Sequence, residues 1–440
     1  MTTRSPADVL AQVEQAQIQF INLQFTDLMG SVKSMTIPAR HLPDAFDHGV
    51  WFDGSSVEGF VRIAESDMVL MPDPVTFASF PWLSGEEATA RLICNVHTPT
   101  GQQFAGDPRY VLQRAVAEAA KLGFVYNTGP EMEFFLFKRP AAGGEQTPEP
   151  QDESGYFDSP TDQAAALWRR MVTALSGFGI VVEAMHAEVS SGQHEIDFRY
   201  ADGLTTADNA VSFRFVLQTL AQQANLHASF MPKPARGING SGMHVHQSLC
   251  YRANGVNAFV DPGDEHGLST VAKQFIAGQL AHARGLCAVV APLVNSYKRL
   301  VAGYEAPVYI SWGRINRSAL IRVPRSTRAE ATRIEFRSPD PSCNPYLALA
   351  AMLAAGLDGL RRQLSAPEAI NENLYIDTSR RAGLQTLPTS LKEAVDDLEK
   401  DAVVCEALGA HVVERFVRAK RQEWDDYQLE VTPWELKHYL

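Results

Sequence analysis

The pattern of apolar and polar positions predicts short strands in the first hundred residues, followed by a mixture of helices and strands. Two short strands flank a turn near Met29 and Gly30, and "ATARLICNVHT" is a further strand candidate. The segment between them, "HGVWFDGSSVEGFVRIAESDM", carries turn residues and many functional groups, so we predict a loop there. We expect a helix with Asp107 as its N-cap and Pro108 at its first position, ending at Gly123.

The remainder of the chain alternates predicted helices with apolar strands. Strand patterns occur in "GPEMEFFLF", in "VVEAMHAEV" and "QHEIDFRY" around a tight connection, and in "ASFMPKP" and "GMHVHQSL" around a Gly-rich loop. We predict one long helix from about Ser269 to Val290 and an apolar helix that starts with Asn344 and Pro345. The order of elements indicates an α+β protein, with a small β-rich domain over residues 1–103 and a large α+β domain over residues 104–440.

Composition narrows the classes of function. A chain of 440 residues is too long for one compact core, and its net charge of −12 argues against a nucleic-acid coat or a binder of anionic membranes. The five cysteines are odd in number and lack CxxC spacing, which favours a reducing cytoplasm over a disulfide framework or a zinc site. No apolar run approaches the roughly 20 residues that span a bilayer.

The stretch "GPEMEFFLF" places Glu131 and Glu133 two residues apart in an apolar strand. Side chains alternate along a strand, so both carboxylates point to one face, where they repel each other and resist burial. When the spacing is considered alone, a solvent-facing edge strand explains the pair as well as a functional site does.

Two other segments carry acids or histidines at comparable positions. Glu188 and Glu195 lie on either side of a turn that hairpin pairing could close. His244 and His246 share one strand face behind a Gly-rich loop. A polar hairpin face or purely structural histidines would explain each pair in isolation.

A fourth segment, "TRIEFRS", places Glu335 between Arg333 and Arg337 on one strand face, which alone would fit an exposed salt-bridged strand. Considered together, several apolar strands each carry an acid or a histidine. Divalent cations such as Mg²⁺ and Mn²⁺ bind carboxylates and accept histidine, and they turn carboxylate repulsion into attraction. The residues therefore predict a site for more than one metal ion on a sheet, without specifying a reaction.

A basic segment indicates the kind of substrate. Nine cationic residues fall within forty positions: Lys298, Arg299, Arg314, Arg317, Arg322, Arg325, Arg328, Arg333 and Arg337. Arginine forks match carboxylate and phosphate oxygens, and metals combined with arginines are the usual equipment for phosphoryl transfer. The chain has neither a GxxxxGK[ST] loop nor a GxGxxG fingerprint, so a nucleotide would have to be held in another way.

Seven motifs resemble, in order and nearly end to end, the type I glutamine synthetases of bacteria and archaea in their short subtype. They are "FDGSSVEGF", "GPEMEFFLF", "EVSSGQHEIDF", "NGSGMHVHQSL", "NSYKRLVAGYEAP", "NRSALIRVP" and "TRIEFRSPDPSCNPYLA". The resemblance implies a β-grasp N-terminal domain and a catalytic domain with a curved antiparallel sheet flanked by helices. It also implies a cytoplasmic dodecamer of two hexameric rings, with active sites between neighbouring subunits and "TPWELKHYL" reaching into the opposite ring.

The resemblance also implies roles for individual residues. One metal, Mg²⁺ or Mn²⁺, would be held by Glu133, Glu188 and Glu195, and a second by Glu131, His244 and Glu335. Glutamate would contact Asn239, Gly240, Arg299, Glu305, Arg317 and Arg337. ATP would contact Glu183, His246, Ser248, Arg317 and Arg322. Strand parity places Glu183 and Glu188 on opposite faces, so we expect a bulge or a twist between them.

The implied reaction joins ammonia to the γ-carboxylate of glutamate through γ-glutamyl phosphate, because a free carboxylate offers no usable leaving group. The second metal, with Arg317 and Arg337, would neutralise the transferring phosphoryl group. Asp53 would bind ammonium and help to deprotonate it, while Glu305 would close the site. Water must be excluded because it would hydrolyse the acyl phosphate.

Other functions stay open at this point. The same family contains ligases for amines larger than ammonia, although the presence of Asp53 and Glu305 favours ammonia. A metal-dependent hydrolase could use the same acids and histidines, but it would leave the arginine-rich segment without a purpose. A non-catalytic relative would not need the complete set of ligands.

Two residues bear on regulation. Arg62 resembles the arginine used for glutamine feedback in short-subtype enzymes, although a plain surface arginine would look the same. An Arg62→Ala variant should then be less sensitive to glutamine. Tyr375 matches the tyrosine that is adenylylated in the longer subtype, and in this short chain we expect it to stay unmodified.

Overall fold

A computed structural model describes residues 4–57, 67–139, 148–159, 162–304, 306–314, 318–326, 328–375, 381 and 383–440. Three residues with predicted roles, Arg62, Glu305 and Arg317, lie outside these ranges. No helix in the described ranges is long and apolar enough to cross a membrane.

Helices dominate the second half of the chain. In order they are α1 Pro6–Gln15, α2 Leu42–His48, α3 Pro108–Lys121, α4 Asp162–Gly177, α5 Gly203–Gln223, α6 Thr270–Ala281, α7 Ala283–Val290, α8 Ser296–Arg299, α9 Pro345–Arg361, α10 Leu391–Leu398, α11 Ala402–Leu408, α12 Ala410–Gln428 and α13 Pro433–Tyr439. Two predicted helix starts are confirmed. Asp107 caps α3 by accepting a hydrogen bond from the Arg109 N–H (3.0 Å), and Asn344 caps α9 in the same way.

The strands form two sheets. In order they are β1 Phe20–Thr26, β2 Val32–Pro38, β3 Val50–Asp53, β4 Asp67–Pro72, β5 Ala78–Ser79, β6 Thr89–His97, β7 Phe124–Lys138, β8 Val182–Ala187, β9 Gln193–Phe198, β10 Ala201–Asp202, β11 Leu226–Ser229, β12 Met243–Tyr251, β13 Tyr309–Gly313, β14 Ala319–Arg322 and β15 Ile334–Phe336.

The N-terminal sheet runs in the order β2-β1-β6-β4-β3, with β5 beside β6. The predicted hairpin is present, because β1 pairs antiparallel with β2, and β1 also pairs parallel with β6. One face of this sheet buries Leu23 and Leu92 together with Val9 of α1 and Leu42 of α2. These residues form a hydrophobic cluster that is separate from the main core.

The larger sheet runs in the order β13-β14-β15-β12-β7-β9-β8, and β10 and β11 also pair with β7. Its pairs are antiparallel, as expected, apart from β13 and β14, which are parallel. Helix α9 packs against α3, α5 and α6 beside this sheet, and its buried apolar side chains explain the apolar sequence after Asn344. Helices α3 and α5, which α9 contacts, also pack against β7 of this sheet.

Three predicted elements differ from the structure. The helix expected from Ser269 to Val290 is two helices, α6 and α7, separated at His282, whose ring is held by Asp358 (3.0 Å) and Asp401 (2.9 Å). The loop expected over "HGVWFDGSSVEGFVRIAESDM" contains the strand β3 and the start of β4, which pair with each other. The strand expected in "ASFMPKP" ends at Ser229, before two prolines that cannot donate to a sheet.

A buried arginine connects the N-terminal sheet to helices α3 and α5. Arg109 of α3 donates to both carboxylate oxygens of Asp208 on α5 (2.9 and 2.8 Å), to Asp73 (2.8 Å) and to Asn95 of β6 (2.7 Å). The planar guanidinium group presents its N–H donors in a fixed arrangement, and it therefore joins the N-terminal residues Asp73 and Asn95 to Asp208 of α5. The exact domain boundary, between residues 103 and 104, stays a prediction.

Candidate active site

Strand β7 carries the two acids of "GPEMEFFLF" at the centre of the larger sheet. Glu131 lies in register with His244 of β12, and Glu133 lies in register with Glu195 of β9. Neighbouring strands flank β7 on both sides, so the explanation by a solvent-facing edge strand is wrong. Glu133 is only 9 % exposed.

The first group of ligand-type side chains, the Glu131 cluster, consists of Glu131, His244 and Glu335, with one candidate ligand atom each within 4.8 Å of the others. His244 Nδ1 lies 3.0 Å from the Glu131 carboxylate and 3.6 Å from that of Glu335. Two carboxylates and one imidazole are a donor set that suits a divalent cation of the Mg²⁺ or Mn²⁺ type. These are the three residues predicted for the second metal.

Hydrogen-bond donors, two of them arginines, surround the Glu131 cluster. Arg322 and Arg337 both donate to Glu335, and His246 Nε2 donates to Glu131 (2.7 Å). Burial works against the charged carboxylates, but hydrogen bonds from His244 and His246 hold the pKa of Glu131 far below its usual range. Burial likewise opposes ionisation of Glu335, and the neighbouring Arg337 nevertheless lowers its pKa. Both acids are therefore charged at neutral pH.

The second group, the Glu195 cluster, consists of His186, Glu188 and Glu195. His186 lies in register with Glu195, and its Nε2 is 3.3 Å from that carboxylate, while Nδ1 is 3.6 Å from Glu188. The hydrogen bond to Glu195 raises the pKa of His186 to about 9, despite its partial burial. The structure brings Glu188 and Glu195 close together, as the prediction of one metal at Glu133, Glu188 and Glu195 requires, and it adds His186, which the prediction did not name. The assignment of these acids to a metal stays a prediction.

Glu133 lies beside this cluster rather than within it. Its Oε2 accepts hydrogen bonds from the Gly242 N–H (2.9 Å) and from Gln193 Nε2 (3.1 Å). Burial raises its pKa well above the usual value, and the nearby charge of Glu195 raises it further. Carboxylates in this condition favour a bound cation, since a positive charge would offset both burial and mutual repulsion.

A cavity of about 320 Å³ opens above both clusters. Its wall contains the four residues predicted to contact glutamate that lie in the described ranges: Asn239, Gly240, Arg299 and Arg337. Arg322, predicted for ATP, also lines this cavity. The Arg299 side chain is almost fully buried, and its guanidinium group donates to main-chain carbonyls of residues 337–339.

A second cavity of about 380 Å³ lies on the other side of Glu131, which lines both cavities. Glu183, His246 and Ser248, all predicted to contact ATP, line the second cavity. The expected bulge is confirmed: the β8–β9 register shifts between Val182 and Ala184, so Glu183 is the extra residue.

The remaining predicted residues lie elsewhere. Asp53 is exposed at the end of β3, where its carboxylate accepts a hydrogen bond from the Ser55 N–H (2.8 Å). Asp53 does not belong to the described lining of either cavity. The predicted roles of Arg62, Glu305 and Arg317 fall outside the described residues.

Sequence reasoning missed several residues that belong to the Glu195 cluster or to the cavity walls. The most informative are His186, Gln193, Tyr304 and Asp197. A signal for His186 was present, because it precedes Glu188 by two positions and so shares its strand face. Tyr304 carries no periodic signal, since it lies in an irregular segment after α8.

Comparison with known protein families gives matches over both regions. The family described as "Glutamine synthetase, catalytic domain" matches residues 105–439, and "Glutamine synthetase, beta-Grasp domain" matches residues 17–99. Similar relatives are glutamine synthetases from Clostridium saccharobutylicum (50 % identity, 100 % of this chain and 99 % of the relative) and Methanosarcina mazei (51 %, 98 % and 97 %). A third is glutamine synthetase from Thermus thermophilus (51 %, 99 % and 98 %).

Solved structures show the same fold. The chain superposes on the structure titled "GmaS/ADP complex-Conformation 1" with a TM-score of 0.87 and 34 % identity, covering 98 % of this chain and 99 % of the other. For "Apo GmaS without ligand" the TM-score is 0.86, with 33 % identity and the same coverage.

These matches span the β-grasp region and the catalytic region, and they define the class of protein as an ATP-dependent ligase. The chain belongs to the glutamine synthetase family. It forms glutamine from glutamate and ammonia at the expense of ATP. The two clusters are candidate sites for the divalent metals typical of this family.

Proposed function

We propose that this enzyme makes γ-glutamyl phosphate where its two cavities meet at Glu131, and then aminates it. The observation that carries the proposal is the shared wall: Glu131 lines both a cavity rich in arginine and carboxylate groups and a cavity bordered by Glu183, His246 and Ser248. A phosphoryl donor in one cavity and a carboxylate acceptor in the other would face each other across this residue.

We assign one cation to Glu131, His244 and Glu335 and another to Glu133, Glu188 and Glu195, with Mg²⁺ or Mn²⁺ as the metal. When bound, the cations supply positive charge that favours phosphoryl transfer. The Glu131 cluster supports the first assignment directly through its donor set. For the second, His186 holds Glu195 by a hydrogen bond, and we place it as an orienting partner of that ligand.

Glutamate binds in the first cavity in this proposal, against Asn239, Gly240, Arg299 and Arg337. Arg337 is only 5 % exposed and is already oriented by Glu335, so it holds a positive charge close to the phosphoryl acceptor. Such a fixed charge stabilises a transferring phosphoryl group better than a mobile one. We also place Glu305 and Arg317 at this substrate.

ATP binds in the second cavity, against Glu183, His246 and Ser248, with its γ-phosphate directed towards Arg317 and Arg322. The imidazole of His246 is oriented, because Nε2 donates to Glu131 and Nδ1 accepts from Arg333 Nε (3.2 Å). This arrangement links the nucleotide side to the Glu131 cluster through one ring.

Asp53 would bind ammonium and accept a proton from it, and Glu305 would close the site against water. Because Asp53 is exposed and does not belong to the described lining of either cavity, we propose that it serves the neighbouring subunit in a dodecamer of two hexameric rings. We place this assembly in the cytoplasm, in keeping with five free cysteines.

The proposal is tested by isotope transfer. With ammonium, ATP and glutamate labelled with ¹⁸O in its γ-carboxylate, one ¹⁸O atom should appear in the released phosphate, because that oxygen becomes the bridge of γ-glutamyl phosphate. Phosphate without label would overturn the acyl-phosphate route.

The same assay distinguishes ammonia from larger amines. Phosphate release with ammonium should exceed release with methylamine, ethanolamine or polyamines at equal concentrations. Faster turnover with an organic amine would instead identify a ligase for that amine.

A further inference from the structure

Lys233 lies in the loop of residues 230–242, between β11 and β12, outside the residue roles assigned above. Its backbone is fixed by a double hydrogen bond with Asn295: the Lys233 N–H donates to Asn295 Oδ1 (2.7 Å), and Asn295 Nδ2 donates back to the Lys233 carbonyl (3.0 Å). The residue is 9 % exposed, so its flexible stem is packed against surrounding atoms.

The Lys233 ammonium group makes two contacts, one with a neighbour of a cavity-lining residue and one with a cavity-lining residue itself. It donates a hydrogen bond to the carbonyl of Ile238, one residue before Asn239. It also lies 3.8 Å from the ring centroid of Tyr304, which is close enough for a cation–π interaction. Asn239 and Tyr304 both line the cavity, whereas Lys233 does not.

The loop that Lys233 holds is tightly packed. The Ser241 N–H donates to the Pro232 carbonyl (2.9 Å), and the Asn239 N–H donates to Ser190 Oγ (2.9 Å). A Cβ atom at Gly240 would meet the Pro232 carbonyl at 2.3 Å, so the backbone at this position approaches more closely than any other residue allows. A small displacement of the loop would therefore move the Asn239 and Gly240 wall directly.

We infer that Lys233 is a positioning residue that ties the loop carrying Asn239 and Gly240 to Tyr304 and thereby sets the glutamate side of the cavity. The inference rests on the proposed placement of glutamate. In this inference Lys233 does not touch glutamate itself. It acts through Asn239 and Gly240, which do. Burial lowers the pKa of Lys233, and the ring face and the carbonyl stabilise its charged form.

The central test is Lys233→Met, which keeps an apolar stem but removes the charge and the donor. We expect the KM for glutamate to rise about tenfold, as for loss of a hydrogen bond from a charged donor, while the KM for ATP changes less than about twofold. Lys233→Arg keeps both a donor and a cation and should restore most of the glutamate affinity. Lys273→Met, which removes a lysine paired with Asp264 away from both cavities, is the matched control and should leave both KM values unchanged.

A double-mutant cycle tests the contact with Tyr304. Tyr304→Leu should raise the KM for glutamate in the wild-type background more than Tyr304→Phe, which retains the ring. In the Lys233→Met background, Tyr304→Leu should add little, because the contact is already lost. If Lys233→Met fails to fold, the comparison of the two Tyr304 variants in the Lys233 background decides the question.

Several outcomes would overturn the inference. They are an unchanged KM for glutamate in Lys233→Met, fully additive effects in the cycle, or a parallel loss of ATP affinity, glutamate affinity and melting temperature. Asn239→Ala separates this result from failure of the proposed glutamate site. If Asn239→Ala weakens glutamate binding and Lys233→Met does not, the positioning role fails alone; if neither does, the placement of glutamate fails as well.

Discussion

Glu131 and Glu133 are two positions apart, yet they have opposite electrostatic surroundings. Imidazole groups hold the pKa of Glu131 low, whereas burial and the charge of Glu195 raise the pKa of Glu133. The difference arises because antiparallel pairing brings histidine beside one acid and another acid beside the other. Neighbouring residues on one strand can therefore serve different steps of one reaction.

We predict that Glu131→Gln and Glu133→Gln impair different steps. Glu131→Gln should lower kcat about 100-fold through loss of phosphoryl-transfer stabilisation, whereas Glu133→Gln should mainly raise the KM for glutamate. Steady-state kinetics with ATP and glutamate varied separately measures this split. Glu149→Gln, the same change at an exposed acid paired with Lys138, should have no effect. Identical defects in both active-site variants would contradict the division.

At the scale of elements, a few polar side chains join helices and strands that are far apart in sequence. Arg109 of α3 reaches Asp208 on α5 and Asp73 beside the N-terminal sheet. His282 separates α6 from α7 and reaches Asp358 of α9 and Asp401 ahead of α11. Arg109 and His282 each pair with carboxylates in the interior. Removal of either side chain would leave a buried carboxylate without its partner.

Removal of the Arg109 side chain should strongly destabilise the fold. Arg109→Leu leaves Asp208 buried without its main partner, so we expect a loss of about 3–5 kcal/mol in the free energy of unfolding. Arg361→Leu, which breaks an exposed pair with Glu118 (3.1 Å), should cost less than about 1 kcal/mol. Urea denaturation at fixed protein concentration measures both, and similar losses would refute the special role of Arg109.

His282 should make stability depend on pH. Burial lowers its pKa, but hydrogen bonds to Asp401 and Asp358 raise it more, so the net pKa lies above the ordinary histidine value of about 6.5. The folded state then binds the proton more tightly than the unfolded state. The stabilisation of the folded state by protonated His282 is therefore complete below about pH 6.5. It is lost as the pH rises through the higher pKa of His282 in the folded state.

His282→Gln should therefore flatten the decline in stability above pH 6.5. Denaturant midpoints between pH 6 and pH 9 provide the measurement. His227→Gln, at an exposed position of β11, is the control and should retain the wild-type slope. An unchanged slope in His282→Gln would show that other groups cause the decline.

At the scale of the whole molecule, the role in ammonium binding proposed for Asp53 would require a second chain. Asp53 is exposed at the end of β3, whereas the cavities lie on the larger sheet. A role in ammonium binding would follow if the neighbouring subunit presents it to the cavity. The proposed ring arrangement supplies such a neighbour.

Hybrid assemblies test this arrangement. Co-expression of Asp53→Ala chains with Glu131→Gln chains should produce activity that neither variant has alone, because some sites would combine two intact halves. Co-expression of Glu131→Gln with Glu335→Gln should restore nothing, since both changes affect the same half. Phosphate release by purified hybrids is the readout. Absence of complementation in the first pair would place Asp53 and Glu131 in the same chain's site.

The sequence alone determined the elements and the ligand types that depend on neighbouring residues. Helix caps at Asp107 and Asn344 and the shared strand face of Glu131 and Glu133 follow from local spacing, whereas the bulge at Glu183 is expected only because the family resemblance places Glu183 and Glu188 at one site. The caps and the shared face are predictable because caps and strand parity depend on residues only a few positions apart.

Only the tertiary structure decided which distant groups meet. It grouped His186 with Glu188 and Glu195, made Glu131 common to two cavities, broke a predicted helix at His282 and set Lys233 beside Tyr304. Local spacing carries little information about these contacts, because strand pairing and helix packing bring together side chains that are far apart in the chain. The sequence thus specified the chemistry of the site, and the packing of the sheet specified its geometry.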